Sequence, residues 1–172
     1  MTKRKIDFRE YAGQIIKSLR PGILITTKVG DKVNSMTIGW GTLGVIWERP
    51  VFVAYVRQQR HTRKMLDQCH EFTVNIPVDN NFRRKILGVC GSKSGRDLDK
   101  IEAAGLTLVE PEVISVPGIK ELPLTLECRV LYRQEQESDQ FNDEITRQFY
   151  TIETGDHICY YGEIVSAYII ED

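Results

Sequence analysis

Between residues 122 and 132 every even position is apolar: Leu122, Leu124, Leu126, Cys128, Val130 and Tyr132. Thr125, Glu127 and Arg129 lie between them, so the spacing predicts a strand with one dry and one wet face. Residues 22–29 alternate behind Pro21-Gly22, and 33–40 return as their hairpin partner across the Gly30-Asp31 turn. Residues 51–56 form a continuous apolar run, short enough for a strand buried on both faces. Residues 72–76 alternate and stop at Pro77, while 148–152 and 158–170 supply two more strands. Helical spacing shows in four places. Phe8, Ala12, Ile15, Ile16 and Leu19 follow Asp7 and Glu10, which are spaced as a capping box. Thr62, Met65, Leu66 and Cys69 share one face of a helix over 61–69, and 82–89 predicts a short helix. Residues 97–104 predict another, with Gly105 as its C-terminal stop. Loops are expected over the glycine-punctuated 91–96 and the polar 138–144. Many strands with few helices point to a barrel. With no internal repeat and no linker, residues 1–172 read as one domain, 1–20 being an N-terminal helix packed on that barrel.

Composition narrows the partners. The chain has 41% hydrophobic and 27% charged residues, an ordinary globular balance. Lys and Arg number 23 against 24 Asp and Glu, a net charge of −1 that gives no reason to expect nucleic acid or an anionic membrane. Cys69, Cys90, Cys128 and Cys159 are scattered without a Cys-x-x-Cys pair and read as small apolar side chains in a reducing compartment. The basic N-terminus leads into Ile6-Asp7-Phe8-Arg9-Glu10 rather than an apolar signal core, and no apolar run would span a bilayer. A cytoplasmic location is expected.

Several familiar chemistries find no footing. Gly39-Trp40-Gly41-Thr42-Leu43-Gly44 matches the dinucleotide fingerprint, but Pro50 forbids a useful helix after it and no βαβ unit surrounds it. Gly91-Ser92-Lys93-Ser94 lacks the order of a phosphate loop. His61, His70 and His157 have no metal-ligand spacing, and no G-x-S-x-G is present.

Four short stretches carry a resemblance instead. Asn34-Ser35-Met36-Thr37-Ile38-Gly39-Trp40 is followed by Trp47-Glu48-Arg49-Pro50; Val56-Arg57-Gln58-Gln59-Arg60-His61-Thr62 comes next, and Ser94-Gly95-Arg96-Asp97-Leu98-Asp99-Lys100 last. In this order and separation they resemble the flavin reductase-like, FMN-binding split-barrel family, which includes the flavoredoxins, over about residues 21–163. The resemblance implies a mainly β fold: a six-stranded antiparallel Greek-key barrel with peripheral helices, usually a homodimer with FMN near the subunit interface. It also implies roles that physical need supports. FMN has a flat apolar ring, a polar pyrimidine edge and a phosphate dianion, so its site needs a narrow slot and an anion cradle.

Asn34, Ser35, Met36 and Thr37 would line the isoalloxazine, with Met36 as soft packing; an ordinary hairpin strand is the competing reading. Trp40 and Trp47 read as core or interface aromatics rather than stacking groups. Arg57, Arg60 and Thr62 stand where a strand gives way to a helix start, whose free N–H groups suit a phosphate; a simple helix cap with solvated arginines is the alternative. Where the family often has Ser-Arg-Tyr-Thr, this chain has Gln59-Arg60-His61-Thr62, so no role carries to His61. Lys93, Ser94 and Lys100, with Gly95 and Arg96, would close over the phosphate and ribityl chain, or form a solvated basic loop. His157 corresponds to a histidine near the nicotinamide or substrate in flavin reductases; a structural histidine serves the pattern as well.

The expected function is an FMN-binding oxidoreductase that takes hydride from NAD(P)H and passes electrons to free flavin or another acceptor. No metal and no dedicated acid, base or nucleophile is called for, because the cofactor carries the chemistry. Two alternatives stand beside it: a flavoredoxin-like electron carrier reduced by a partner protein, and a non-catalytic split-barrel binding protein.

Overall fold

A computed structural model describes residues 1–79 and 83–172. Its strands are β1 (Thr2–Lys5), β2 (Ile23–Val29), β3 (Lys32–Ile38), β4 (Gly41–Ile46), β5 (Arg49–Arg57), β6 (Glu71–Ile76), β7 (Leu108–Val109), β8 (Gly118–Ile119), β9 (Leu124–Glu135) and β10 (His157–Glu171). The helices are α1 (Ala12–Ser18), α2 (His61–Cys69), α3 (Arg84–Ser92), α4 (Lys100–Ala104) and α5 (Asp143–Phe149). One antiparallel sheet runs β3-β2-β6-β9-β10-β5-β4, with β1 added to the far half of β10. β7 and β8 make a separate small hairpin.

Six of these strands, β2, β3, β5, β6, β9 and β10, contribute to one apolar interior. Ile25, Met36, Phe52, Val74, Leu126 and Tyr160 meet there, one from each strand. That is a barrel core, and the period-2 alternation is what puts these residues inside. β1 and β4 extend it at the margins. Gly162 marks where β10 shifts register against β9, and a Cβ there would come within 2.5 Å of the Phe72 ring, so the bend needs the bare backbone.

Outside the barrel, Leu24, Leu87, Cys90, Ala104, Leu106, Ile119 and Leu122 form a second apolar cluster under α3 and α4. Beside it lies a fully buried polar network: Ser35 and Thr26 hydroxyls are 2.8 Å apart, Thr26 donates to Asn75 Oδ1, and Asn75 Nδ2 donates to Thr125. The predicted wet face of β9 is therefore dry at Thr125 and Glu127. The Glu127 carboxylate accepts from the backbone N–H groups of Glu112, Val113 and Ile114, so a crossing segment, not water, satisfies it.

Other expectations need correction. Residues 1–20 hold β1, a 3-10 turn over Phe8–Tyr11 and α1 rather than one helix; Asp7 caps the turn by accepting from the Arg9 N–H. β4 forms where no strand was expected. Residues 148–152 are not a strand: Asn142 accepts from the Ile145 N–H and starts α5, so Gln148 and Phe149 finish a helix. The expected helix over 82–89 is α3; Phe82 lies outside the described residues. The helix placed at 97–104 begins later, because the Asp99 carboxylate caps it by accepting from Ile101 and Glu102 N–H; Gly105 closes it at φ 64° as expected.

Candidate functional site

α2 begins as β5 leaves the sheet, and its first turn faces the loop between α3 and α4. The two meet around a cleft of about 360 Å³ lined by Met36, Gln59, Arg60, His61, Thr62, Lys93, Ser94, Gly95, Arg96 and Lys100. Four lining side chains are cationic, and no carboxylate joins them among the described residues. In a chain of net charge −1 this is a local concentration of positive charge, reinforced by the N-terminus of α2.

Lys100 is only 4% exposed. Its ammonium donates to the backbone carbonyls of Ser35 (3.1 Å) and Cys90 (3.0 Å), which leaves one N–H without a protein acceptor among the described residues. Burial lowers its pKa, and Arg60 adds to that. Arg60 donates to Gly91 O at 3.3 Å. Both cations thus meet carbonyls near the C-terminal end of α3, where its dipole is negative. Thr62 is buried and accepts from Asn34 Nδ2 at 2.9 Å. Ser94 Oγ accepts from the Arg96 N–H, and Arg96 in turn donates to Gln59 O, which ties the loop to the start of α2.

Met36 and Arg60 also line a neighbouring slot of about 170 Å³ with Thr37, Ile38, Gly39, Trp40, Tyr55, Arg57 and His157. This end is aromatic. Trp40 stands 4.8 Å from the His157 ring and edge-on to Phe149 at 5.2 Å. Trp40, expected in the core or an interface, is a wall of this slot. The Tyr150 hydroxyl lies 2.9 Å from Gln136 Oε1 and 3.1 Å from His157 Nδ1. Gln136 Oε1 only accepts, so Tyr150 gives it its proton and accepts from His157 Nδ1–H. His157 Nε2 is then the unprotonated ring nitrogen. Burial, with Arg57 close by, lowers the His157 pKa to about 4 and keeps the ring neutral.

The predicted site residues therefore divide. Met36, Arg60, Thr62, Lys93, Ser94 and Lys100 converge on one cleft, and Met36, Thr37, Arg57 and His157 on the adjoining slot. Two residues depart from the expected ring contact. The Ser35 hydroxyl points away into the buried network with Thr26, because it alternates with Met36; only its carbonyl reaches Lys100. Asn34 opens onto a different cavity, on the far side of Gly95. Arg57 is not among the phosphate-type cations. Its guanidinium donates to the carbonyls of Phe149, Thr154 and Gly155, which anchors the segment after α5. Trp40, Tyr55 and Tyr150 were missed as site residues, since the contacts joining them span long stretches of sequence.

Fold and cleft together define a mainly β split-barrel protein with a cation-lined groove beside β3. The flavin reductase-like domain family matches residues 18–172, and the chain belongs to that family. An uncharacterised protein of Archaeoglobus fulgidus is 30% identical over 135 residues, covering 78% of this chain but only 64% of that relative, under two thirds of its length. Among solved structures, an FMN-binding domain of a flavin reductase-like enzyme from Shewanella baltica aligns with a TM-score of 0.71 at 15% identity, over 98% of this chain and 77% of that one. A flavoredoxin from Methanosarcina acetivorans aligns at 0.66 with 27% identity, over 87% and 68%. The barrel is the FMN-binding split-barrel fold.

Proposed function

We propose that this chain binds FMN along the groove and acts as an NAD(P)H:flavin oxidoreductase. The observation that carries this reading is the junction of a four-cation cleft with an aromatic slot through Met36 and Arg60. A dianionic phosphate suits Arg60, Thr62, Lys93 and Lys100, and a flat ring suits Met36 and Thr37. Bound FMN would supply the hydride- and electron-carrying ring. The chain's own work is to position and to exclude water. Lys100 holds the Ser35 and Cys90 carbonyls and directs its remaining N–H at the anion. His157 offers a neutral acceptor at the slot, suited to a donor such as the carboxamide of a nicotinamide. None of these residues need take or give a proton.

The second reading, an electron carrier reduced by a partner protein, draws on the flavoredoxin likeness. We also infer a homodimer, because Val45, Ile46 and Trp47 stand exposed on the β4–β5 hairpin beside Tyr132 and Tyr161. All four thiols are free, which suits a reducing cytoplasm. Residues 1–172 are taken as one flavin-binding unit.

The deciding experiment titrates the protein with FMN and with riboflavin, then adds NADPH or NADH anaerobically while the visible bands are followed. FMN is expected to bind at least about tenfold more tightly than riboflavin, the worth of one charged hydrogen bond. Lys100→Met should shrink that preference. Bleaching by NAD(P)H supports the reductase; a bound flavin that bleaches only with a protein donor supports the carrier. Failure to take up FMN would sink both.

A further inference from the structure

A neutral imidazole donates from one nitrogen and accepts at the other, so what His157 offers in the slot depends on where its proton is held. Trp40 packs on the ring at 4.8 Å and settles its plane, not its proton. The proton is held from behind, by two residues outside the slot lining. Gln136 N–H donates to His157 O at 2.9 Å, which fixes the start of β10 against the residue that follows β9. The Gln136 side chain meets the Tyr150 hydroxyl, and that hydroxyl meets His157 Nδ1, which closes the circuit. Arg57 steadies it: the guanidinium holds Phe149 O and stands 5.7 Å from the Tyr150 ring centroid.

Such a circuit can run in two senses. With Gln136 Oε1 toward the hydroxyl, as here, Tyr150 donates to Gln136 and accepts from Nδ1–H, so Nε2 is an acceptor. With the amide turned over, Gln136 would donate to Tyr150, Tyr150 to Nδ1, and Nε2 would carry the proton instead. Nε2 makes no hydrogen bond among the described residues and is not one of the buried unpaired atoms, so it opens on the slot that His157 lines. The sense of the circuit therefore sets what that nitrogen can recognise.

We propose that Gln136 and Tyr150 are positioning residues: by holding the His157 proton on Nδ1, they make the slot select a ligand whose ring substituent donates a hydrogen bond. The inference rests on the reductase reading above, in which that substituent is the carboxamide of NAD(P)H. An analogue with a methyl ketone in its place has no N–H to give and leaves Nε2 unpaired, a loss of about tenfold for one hydrogen bond.

The test has a spectroscopic arm and a kinetic one. Two-bond nitrogen–proton NMR spectra of the full chain at neutral pH report which ring nitrogen carries the proton, and His157→Gln identifies the resonances. The wild type should hold the proton on Nδ1, Tyr150→Phe should move it to Nε2, and Gln136→Glu, which keeps an acceptor, should restore the wild-type tautomer. The FMN-loaded protein is then given the dinucleotide that bleaches it, NADH or NADPH, and the reduced acetylpyridine analogue of that dinucleotide. The ratio of the two KM values should favour the carboxamide about tenfold less in Tyr150→Phe than in wild type, with Gln136→Glu within about twofold of wild type. A merely structural loss would raise both KM values together and leave the ratio alone. A wild-type proton on Nε2, a tautomer unmoved by Tyr150→Phe, or a moved tautomer with an unchanged ratio would each overturn the inference and leave the reductase reading intact. If no dinucleotide bleaches the bound flavin, both fall.

Discussion

Gly95 lies directly over Asn34, so a Cβ at this position would collide with Asn34 Oδ1. The glycine is required by close approach rather than by its own backbone angle. Gly95→Ala is expected to push Asn34 aside, break its bond to Thr62 and lower FMN affinity by about tenfold, as measured by flavin fluorescence quenching. His157 makes a different prediction. Its folded pKa of about 4 lies below the ordinary 6.5, so between these values the unfolded chain binds the extra proton. Stability attributable to this group is therefore complete above pH 6.5 and declines as pH falls toward 4. Urea melts of His157→Gln across that window should show a shallower acid-side loss than wild type, and an equal slope would refute the assignment.

At the scale of elements, the segment after α5 depends on one side chain from β5. Arg57 holds the Phe149, Thr154 and Gly155 carbonyls, and Gln59 adds a bond of 2.8 Å to Thr154 O. Arg57→Met should speed amide exchange over residues 149–156 by at least about tenfold while the barrel strands keep their protection. This clamp also shows what the sequence made legible. Six strands and α2 could be read from periodicity, because β-barrel interiors and amphipathic helices impose a local rhythm. β4 could not, since Gly41, Thr42 and Gly44 dilute the apolar signal and the strand exists by pairing with β5. Residues 148–152 misled because Phe149 and Tyr150 are strand-prone in isolation, whereas the Asn142 cap and contacts with Trp40 decide their fate. The cationic half of the site was readable as a chain motif. The aromatic half was not, apart from His157, because Trp40 and Tyr150 lie in loops, Tyr55 on β5 and His157 on β10.

For the whole molecule, the unsatisfied surface is the outer side of the β4–β5 hairpin. Trp47 and Glu48 turn it with φ of 55° and 58°, a left-handed conformation that costs on the order of 1 kcal/mol for each. That turn holds Trp47 against Tyr132 and Tyr161 while Val45 remains 75% exposed. If this patch is the dimer contact, Trp47→Asp should convert dimer to monomer in sedimentation velocity at micromolar concentration. The melting curve would then lose its dependence on protein concentration. A wild-type protein that sediments as a monomer would remove the basis for the prediction.

The chain has only two tryptophans, and they stand at separate places: Trp40 against His157 in the slot, Trp47 on the hairpin surface. Intrinsic tryptophan emission therefore comes from two reporters that single substitutions can separate. With Trp47 replaced by Phe, the remaining signal follows occupancy of the groove; with Trp40 replaced, it follows assembly. Whether the two events are coupled then becomes a question of whether one dye-free titration curve shifts the other.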